Sequence, residues 1–294
     1  MPAQVSGKLP MAATILDGKA IAERMKRALA KELAGFAEKP TLGILSFDSP
    51  ASALYRRVQE TEAASLGIRI TGQAVARASQ GAVERFIQLW NGDPRIHGIF
   101  VHQPMPPEID PQRISAAIDP RKDIEGIHPQ NMARRFFAKA RIGSCTALAV
   151  MRLIEETGVN LEGKEAVVVG HSEIVGRPVS MLLLDTLATT TVCHAATKNL
   201  QAHVSRADIL VVAVGRPHLI KGEWIKPGAV VIDVGINVVG GKVVGDVEFE
   251  DAKERAAFIT PVPGGVGPVT VMMVMKNTIE AFKLQHTRPG KEGS

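Results

Sequence analysis

Apolar and polar positions follow two recurring periods along this chain, and they predict strands alternating with helices. Residues 18–37 place Ile21, Met25, Leu29 and Leu33 at helical spacing. The apolar run at 41–47 predicts a short strand. Asp48-Ser49-Pro50 offers capping side chains and a first-turn proline, so a helix is expected over 51–66, closed by Gly67. Residues 68–75 read as a strand, 81–90 as a helix, 97–102 as a strand and 111–118 as a short helix, with Gln103-Pro-Met-Pro-Pro107 as a loop. A polar loop follows, Asp119-Pro-Arg-Lys-Asp-Ile-Glu-Gly-Ile-His-Pro129, and then a helix over 146–158.

Further strands are expected at 166–169, 190–194, 209–214 and 229–235. Strands separated by helices or turn-rich connections at this spacing imply a parallel sheet. The stretch Val167-Val-Val-Gly-His-Ser-Glu-Ile-Val-Gly-Arg-Pro178 runs from a β-branched strand through Gly170 into a helix. The apolar face expected for that helix is Val179, Leu182, Leu183 and Leu187. A strand, a glycine turn and a helix begin a nucleotide-binding fold, because open N–H groups at the helix N-terminus hold phosphates. The spacing departs from G-x-G-x-x-G, with Ser172 where the second glycine would stand. The strand ends carrying Gly215 and Gly235 should line the ligand crevice. A second turn, Pro261-Val-Pro-Gly-Gly-Val-Gly-Pro268, either brings backbone close to a flat ligand or is a tight loop before the last helix, 269–284.

Composition narrows the picture. At 294 residues, 45% apolar and 22% charged, the chain suits a globular protein of two domains. No apolar run is long enough for a membrane span, and residues 1–13 lack the core of a secretory signal; they and the tail 286–294 read as disordered extensions. Cys145 and Cys193 read as buried, reduced thiols of a cytoplasmic protein. The charge of +5 and pI near 9.3 point to anionic partners. Scattered basic residues, one Tyr and two Trp argue against nucleic acid and for small phosphates or carboxylates. No metal-ligand pattern is read.

Taken together, several motifs resemble the methylenetetrahydrofolate dehydrogenase/methenyltetrahydrofolate cyclohydrolase family, FolD type, over about residues 12–285. They are Pro50-Ala-Ser52 with Tyr55, Lys122-Asp-Ile-Glu-Gly-Ile-His-Pro129, Ser172 to Pro178, Thr197-Lys-Asn-Leu200, Asp233-Val-Gly-Ile-Asn237 and Thr260 to Thr270. The resemblance implies an α/β folate domain at 12–143, a Rossmann domain at 144–268, a last helix, 269–285, returning to the first domain, and a homodimer. It implies that Tyr55, Gln59, His102, Asp123, Glu125, Pro263, Gly264 and Gly265 bind substrate, with Tyr55, Gln59, His102 and Glu125 at the catalytic positions. It assigns the cofactor to Gly170, His171, Ser172, Ile174, Val175, Gly176, Thr197, Gly215, Gly235 and Ile236.

The chain departs from the family at the chemistry. Gln59 stands where the resemblance implies a lysine four residues after Tyr55, His102 where it implies glutamine, and Glu125 where it implies aspartate. An amide cannot titrate as an ammonium does. Hydride transfer needs no general base, so the expectation is a dehydrogenase with weak or absent cyclohydrolase activity. The alternatives are full bifunctionality with His102 in the lysine's place, a folate- or nucleotide-binding protein without turnover, or an oxidoreductase of another one-carbon carrier. His171 and Ala195 replace an arginine and a serine that hold a 2′-phosphate in the family. The segment 189–197 has no acid for an NAD ribose, so NADP is favoured over NAD, with His171, Ser172 and Lys198 as substitutes.

Overall fold

The computed structural model describes residues 12–47, 50–75, 79–137 and 141–286. The capping pair expected at Asp48-Ser49 lies outside them. In chain order the elements are β1 (Thr14–Ile15), α1 (Gly18–Ala34), β2 (Thr41–Phe47), α2 (Pro50–Leu66), β3 (Arg69–Val75), α3 (Gln80–Gly92), β4 (Gly98–Val101), α4 (Pro111–Ala117), α5 (Pro129–Phe136) and α6 (Cys145–Glu155). They continue with β5 (Glu165–Val169), α7 (Gly176–Asp185), β6 (Thr189–Cys193), α8 (Leu200–Val204), β7 (Ile209–Val212), β8 (Val230–Asp233), β9 (Asn237–Val239), β10 (Lys242–Val244), α9 (Phe249–Ala252), β11 (Phe258–Ile259) and α10 (Val266–His286). The protein is α/β, and its described residues divide into two compact units, 20–149 with 268–286 and 12–19 with 150–267.

The N-terminal unit is built on a parallel sheet in the order β3-β2-β4. Its central strand is buried on both faces at Leu42, Ile44 and Leu45. On one face α3 packs Val83, Ile87 and Trp90 against Leu45, Phe47, Ile99, Val101 and Ile114. A Cβ on Gly43 would lie 2.9 Å from Trp90 Cε3, so the glycine admits the indole. From Pro268 onward α10 belongs to this unit, with Val269, Val274, Met275, Asn277, Thr278 and Ala281 all buried. A helix buried on most of its faces reads as apolar nearly all round.

The C-terminal unit is a six-stranded parallel sheet, β1-β11-β8-β7-β5-β6. Its central strands β5, β7 and β8 are apolar runs buried on both faces, as parallel strands covered by helices require. Gly170, Gly215 and Gly235 follow the C-terminal ends of these three strands.

Four features differ from the sequence expectation. Residues 14–15 pair in parallel with Phe258–Ile259, so the chain's described start joins the C-terminal sheet and not the N-terminal domain. A two-residue strand has no period to read. Leu187 does not extend the apolar face of α7: the helix ends at Asp185, and Leu187 sits at φ 63° with 69% of its surface exposed. Residues 129–136 form a helix that the proline-rich loop obscured, with Pro129 in its first turn and His128 Nδ1 accepting from Gln130 N at 3.1 Å. Finally, 237–244 is an antiparallel hairpin whose turn, Gly240-Gly241, has positive φ at both positions.

Candidate active site

Helix α2 places Ser52, Tyr55 and Gln59 along one face by their i, i+3, i+7 spacing. Facing them is His102, just past the end of β4, where its N–H donates to Leu45 O at 2.9 Å and extends the ladder. Ser52 Oγ lies 2.9 Å from His102 Nδ1, and His102 Nε2 lies 2.9 Å from Gln59 Oε1. An amide oxygen only accepts, so Nε2 carries the ring proton and Nδ1 accepts from the Ser52 hydroxyl. Burial, then the positive charge of Arg56, pulls the imidazole down to about 4. His102 is therefore neutral at pH 7, with both nitrogens engaged inside the protein. Phe100 and Tyr55 pack edge-on against its ring at 5.3 and 5.8 Å.

Gln59 is fully buried, yet its Nε2 has no partner among the described residues. An unpaired buried donor costs about 1–3 kcal/mol, a penalty that a ligand oxygen would relieve.

The loop 122–126 runs beside β4, tied by Ile99 N donating to Lys122 O at 2.7 Å. Lys122 Nζ turns away and donates to Trp90 O, Asn91 O and Asp93 O, closing the C-terminus of α3. The Asp123 carboxylate accepts from Glu125 N, His128 N and Asn131 Nδ2 at 3.2, 2.9 and 2.8 Å. It is spent on shaping its own loop. Asn277 of α10 donates through Nδ2 to Ile124 O at 2.7 Å and Gly143 O at 2.9 Å, pinning the same loop from behind. Gly126 has φ 65°, and a Cβ there would lie 2.7 Å from Gly143 Cα.

Held by these contacts, Glu125 has no hydrogen-bond partner for its carboxyl among the described residues. Burial, then the neighbouring Asp123 charge, raises it to about 8. Burial, then the Cys145 and Glu125 charges, pushes the Tyr55 phenol far up, so it stays protonated. Cys145, also raised by burial, is a free buried thiol.

The C-terminal unit carries the other predicted residues. Gly170 has φ 128°, and a Cβ there would lie 2.3 Å from Ala213 O; one on Gly176 would lie 2.2 Å from Gly170 O. Both glycines let the strand, turn and helix close on each other. Ser172 Oγ accepts from Val175 N and Gly176 N at 3.2 and 3.4 Å, so this serine ties the start of α7. Thr197 Oγ1 accepts from His194 N at 2.8 Å. The exposed rings of His171 and His194 lie 5.3 Å apart, with exposed Lys198 on the same post-β6 loop as His194. These groups fit a phosphate-bearing dinucleotide: imidazoles and an ammonium, no carboxylate between 189 and 199, and open space around Gly215 at φ 64°. Ile174 and Ile236 are exposed. Pro263, Gly264 and Gly265 belong to this unit too; a Cβ on Gly265 would lie 2.6 Å from Pro261 O.

Sequence reasoning brings Tyr55, Gln59, His102, Asp123 and Glu125 to one unit, holds Ser52 and Asp233 only as motif residues without a role, and misses Asn277 and Asp246. The signal for Asn277 was available, as an amide that follows the mostly apolar stretch 269–275 of the last helix.

Residues 16–125 match the family described as tetrahydrofolate dehydrogenase/cyclohydrolase, catalytic domain, and residues 144–286 match its NAD(P)-binding domain. A Pelobacter propionicus protein named bifunctional protein FolD is 47% identical over 277 residues, 92% of this chain and 98% of its own. A Geobacter sulfurreducens protein named bifunctional protein FolD 2 is 48% identical over 280 residues, again 92% and 98%. The solved Trypanosoma brucei N5,N10-methylenetetrahydrofolate dehydrogenase-cyclohydrolase, complexed with NADP cofactor and inhibitor, is 39% identical with a TM-score of 0.89 over 93% of this chain and 98% of its own. With both of its halves matched in order, the chain belongs to the tetrahydrofolate dehydrogenase/cyclohydrolase family.

Proposed function

We propose that the chain oxidises 5,10-methylenetetrahydrofolate with NADP and hydrolyses the resulting 5,10-methenyl compound, as a bifunctional enzyme. The observation that carries this reading is the 47–48% identity, over nearly their whole length, to relatives named bifunctional. The expectation of weak or absent hydrolysis rested on Gln59 alone and gives way to it. Folate binding is assigned to the unit of residues 20–149 with 268–286, the dinucleotide to the unit of residues 12–19 with 150–267, and a homodimer is part of the same reading. No helix among the described residues is long and apolar enough to cross a membrane.

NADP, when bound, accepts the hydride. The methylene carbon lies between two nitrogens whose lone pairs stabilise the cation left behind, so the protein need only orient the pterin and keep water out. Tyr55, neutral and half-buried, gives a flat wall for this.

Hydrolysis needs more. Water adds to the methenyl carbon and must lose a proton. His102 is poorly placed to take it, because both ring nitrogens are already engaged. Glu125 is better placed. The methenyl substrate is a cation, and a positive charge beside the carboxyl lowers its pKa from about 8, so substrate binding itself ionises the base. Glu125 takes a proton from the attacking water and hands it to N5 as the C–N5 bond breaks. The remaining hydroxyl proton leaves to solvent as the formyl C=O forms on N10. Gln59 Nε2, the unpartnered donor, holds the attacking oxygen.

An assay on purified protein tests both activities: reduction of NADP and of NAD with methylenetetrahydrofolate, and decay of methenyltetrahydrofolate above its spontaneous rate. NADP reduction with accelerated decay is expected. Reduction without acceleration would restore the dehydrogenase-only reading, and no reduction with either nucleotide would overturn the oxidoreductase.

A further inference from the structure

Two buried carboxylates lie behind the strand ends of the C-terminal unit. Asp233 closes β8; its Oδ1 accepts from Gly235 N at 2.9 Å and Asp246 N at 3.1 Å, and its Oδ2 accepts from Val247 N at 2.9 Å. Asp246, fully buried, reaches on to the loop after β7. Its Oδ2 accepts from Val214 N and Gly215 N at 2.8 and 2.9 Å, and its Oδ1 accepts from Arg216 N and Asn237 Nδ2, both at 2.8 Å. The backbone makes room for both acids. A Cβ on Gly235 would fall 2.3 Å from Asp246 Oδ1, and one on Gly245 would fall 2.0 Å from Asp233 Oδ2.

Three successive N–H groups converging on one point form a nest for an anion. Here the protein fills its own nest at 214–216 with Asp246. A phosphate cannot share it: the donors are spent, and the fixed charge repels a second anion. The exposed side chains that can hold an anion lie instead after β5 and β6, at His171, His194 and Lys198. A dinucleotide laid along the strand ends with its phosphates on β5 and β6 directs its nicotinamide end, which carries no phosphate beyond the bridging pair, toward β7 and β8.

We propose that Asp246 is a positioning residue that fixes the Val214–Arg216 loop as a phosphate-excluding seat for the nicotinamide end of the dinucleotide. This rests on the cofactor reading above. The carboxylate touches neither ring nor substrate; it acts through the loop backbone it holds. Asp233 sets its position in turn, through the N–H groups of Asp246 and Val247.

The test compares two ligands, NADP and adenosine 2′,5′-bisphosphate, which keeps the anionic end and lacks nicotinamide. Asp246→Asn turns an amide N–H toward a backbone N–H and releases the loop. It should weaken NADP about tenfold or more, while the bisphosphate stays within about twofold of wild type. Asn237→Ala leaves the carboxylate and removes one of its four donors; it should shift NADP alone by about two- to threefold, and it decides the matter if Asp246→Asn does not fold. A general loosening of the unit would weaken both ligands together, and that result, or no change in either, overturns the positioning role while leaving the cofactor reading intact. A wild-type chain that binds neither ligand overturns the cofactor reading and this one with it.

Discussion

Each unit carries a pair of acids, and the pairs differ in one respect. Asp233 and Asp246 together collect seven N–H donors, and every oxygen is used. Asp123 and Glu125 divide the work unequally: Asp123 collects three donors, while the Glu125 carboxyl has no partner among the described residues. A carboxylate saturated by its own backbone is architecture, because any proton or ligand must first displace those donors. One enclosed with nothing to bond to keeps its lone pairs for a substrate and has its protonation set by what arrives. Asp233 shows that enclosure alone does not decide: it is raised to about 6 by burial even with its donors in place.

The sharpest way to break this contrast is Glu125→Gln. It keeps the shape and removes the base, so methenyltetrahydrofolate hydrolysis should fall by about 10²–10⁴-fold, with a smaller loss in NADP reduction; equal losses in both assays would show that Glu125 only binds. Asp123→Asn should do the reverse. Its amide turns a donor toward donors, destabilising the chain by about 1–3 kcal/mol in a denaturant melt, with hydrolysis per folded molecule changing less than for Glu125→Gln.

The pH dependence separates the two acids further. Glu125 is raised to about 8, so the stability from keeping it neutral is present below the ordinary carboxylate range and is lost as pH rises through about 8. The melting temperature of Glu125→Gln relative to wild type should climb from about pH 5 to about pH 8 and then level off; a flat difference would place the raised carboxyl elsewhere. The smallest effect belongs to His102→Gln. If its ring serves as a fixed dipole between Ser52 and Gln59, hydrolysis should change by less than about tenfold, whereas a larger loss would make the imidazole the proton carrier.

Much of this was legible in the sequence, and what was not has physical reasons. The apolar runs of β5, β7 and β8 announce themselves because strands buried on both faces need no alternation. Tyr55 and Gln59 could be grouped by helix spacing, and the family resemblance brought His102 to them. Asp233 and Asp246 could not: their partners are backbone N–H groups, and those leave no mark in the residue alphabet. Leu187 misled because its spacing fits a helix that had already ended. The strand at 14–15 gains its identity from residues 258–259, at the other end of the chain.

Asn277 carries a consequence for how the protein is made. The amide that pins the Glu125 loop lies 153 residues beyond Ile124, on the last helix. A nascent chain emerging from the ribosome has synthesised Tyr55, His102 and Glu125 long before that amide exists. The N-terminal sheet can form early, yet its site waits until residue 277 has been made. Until then Ile124 O and Gly143 O lack their Asn277 donor, and the groove that α10 fills stands open to chaperones and to wrong partners.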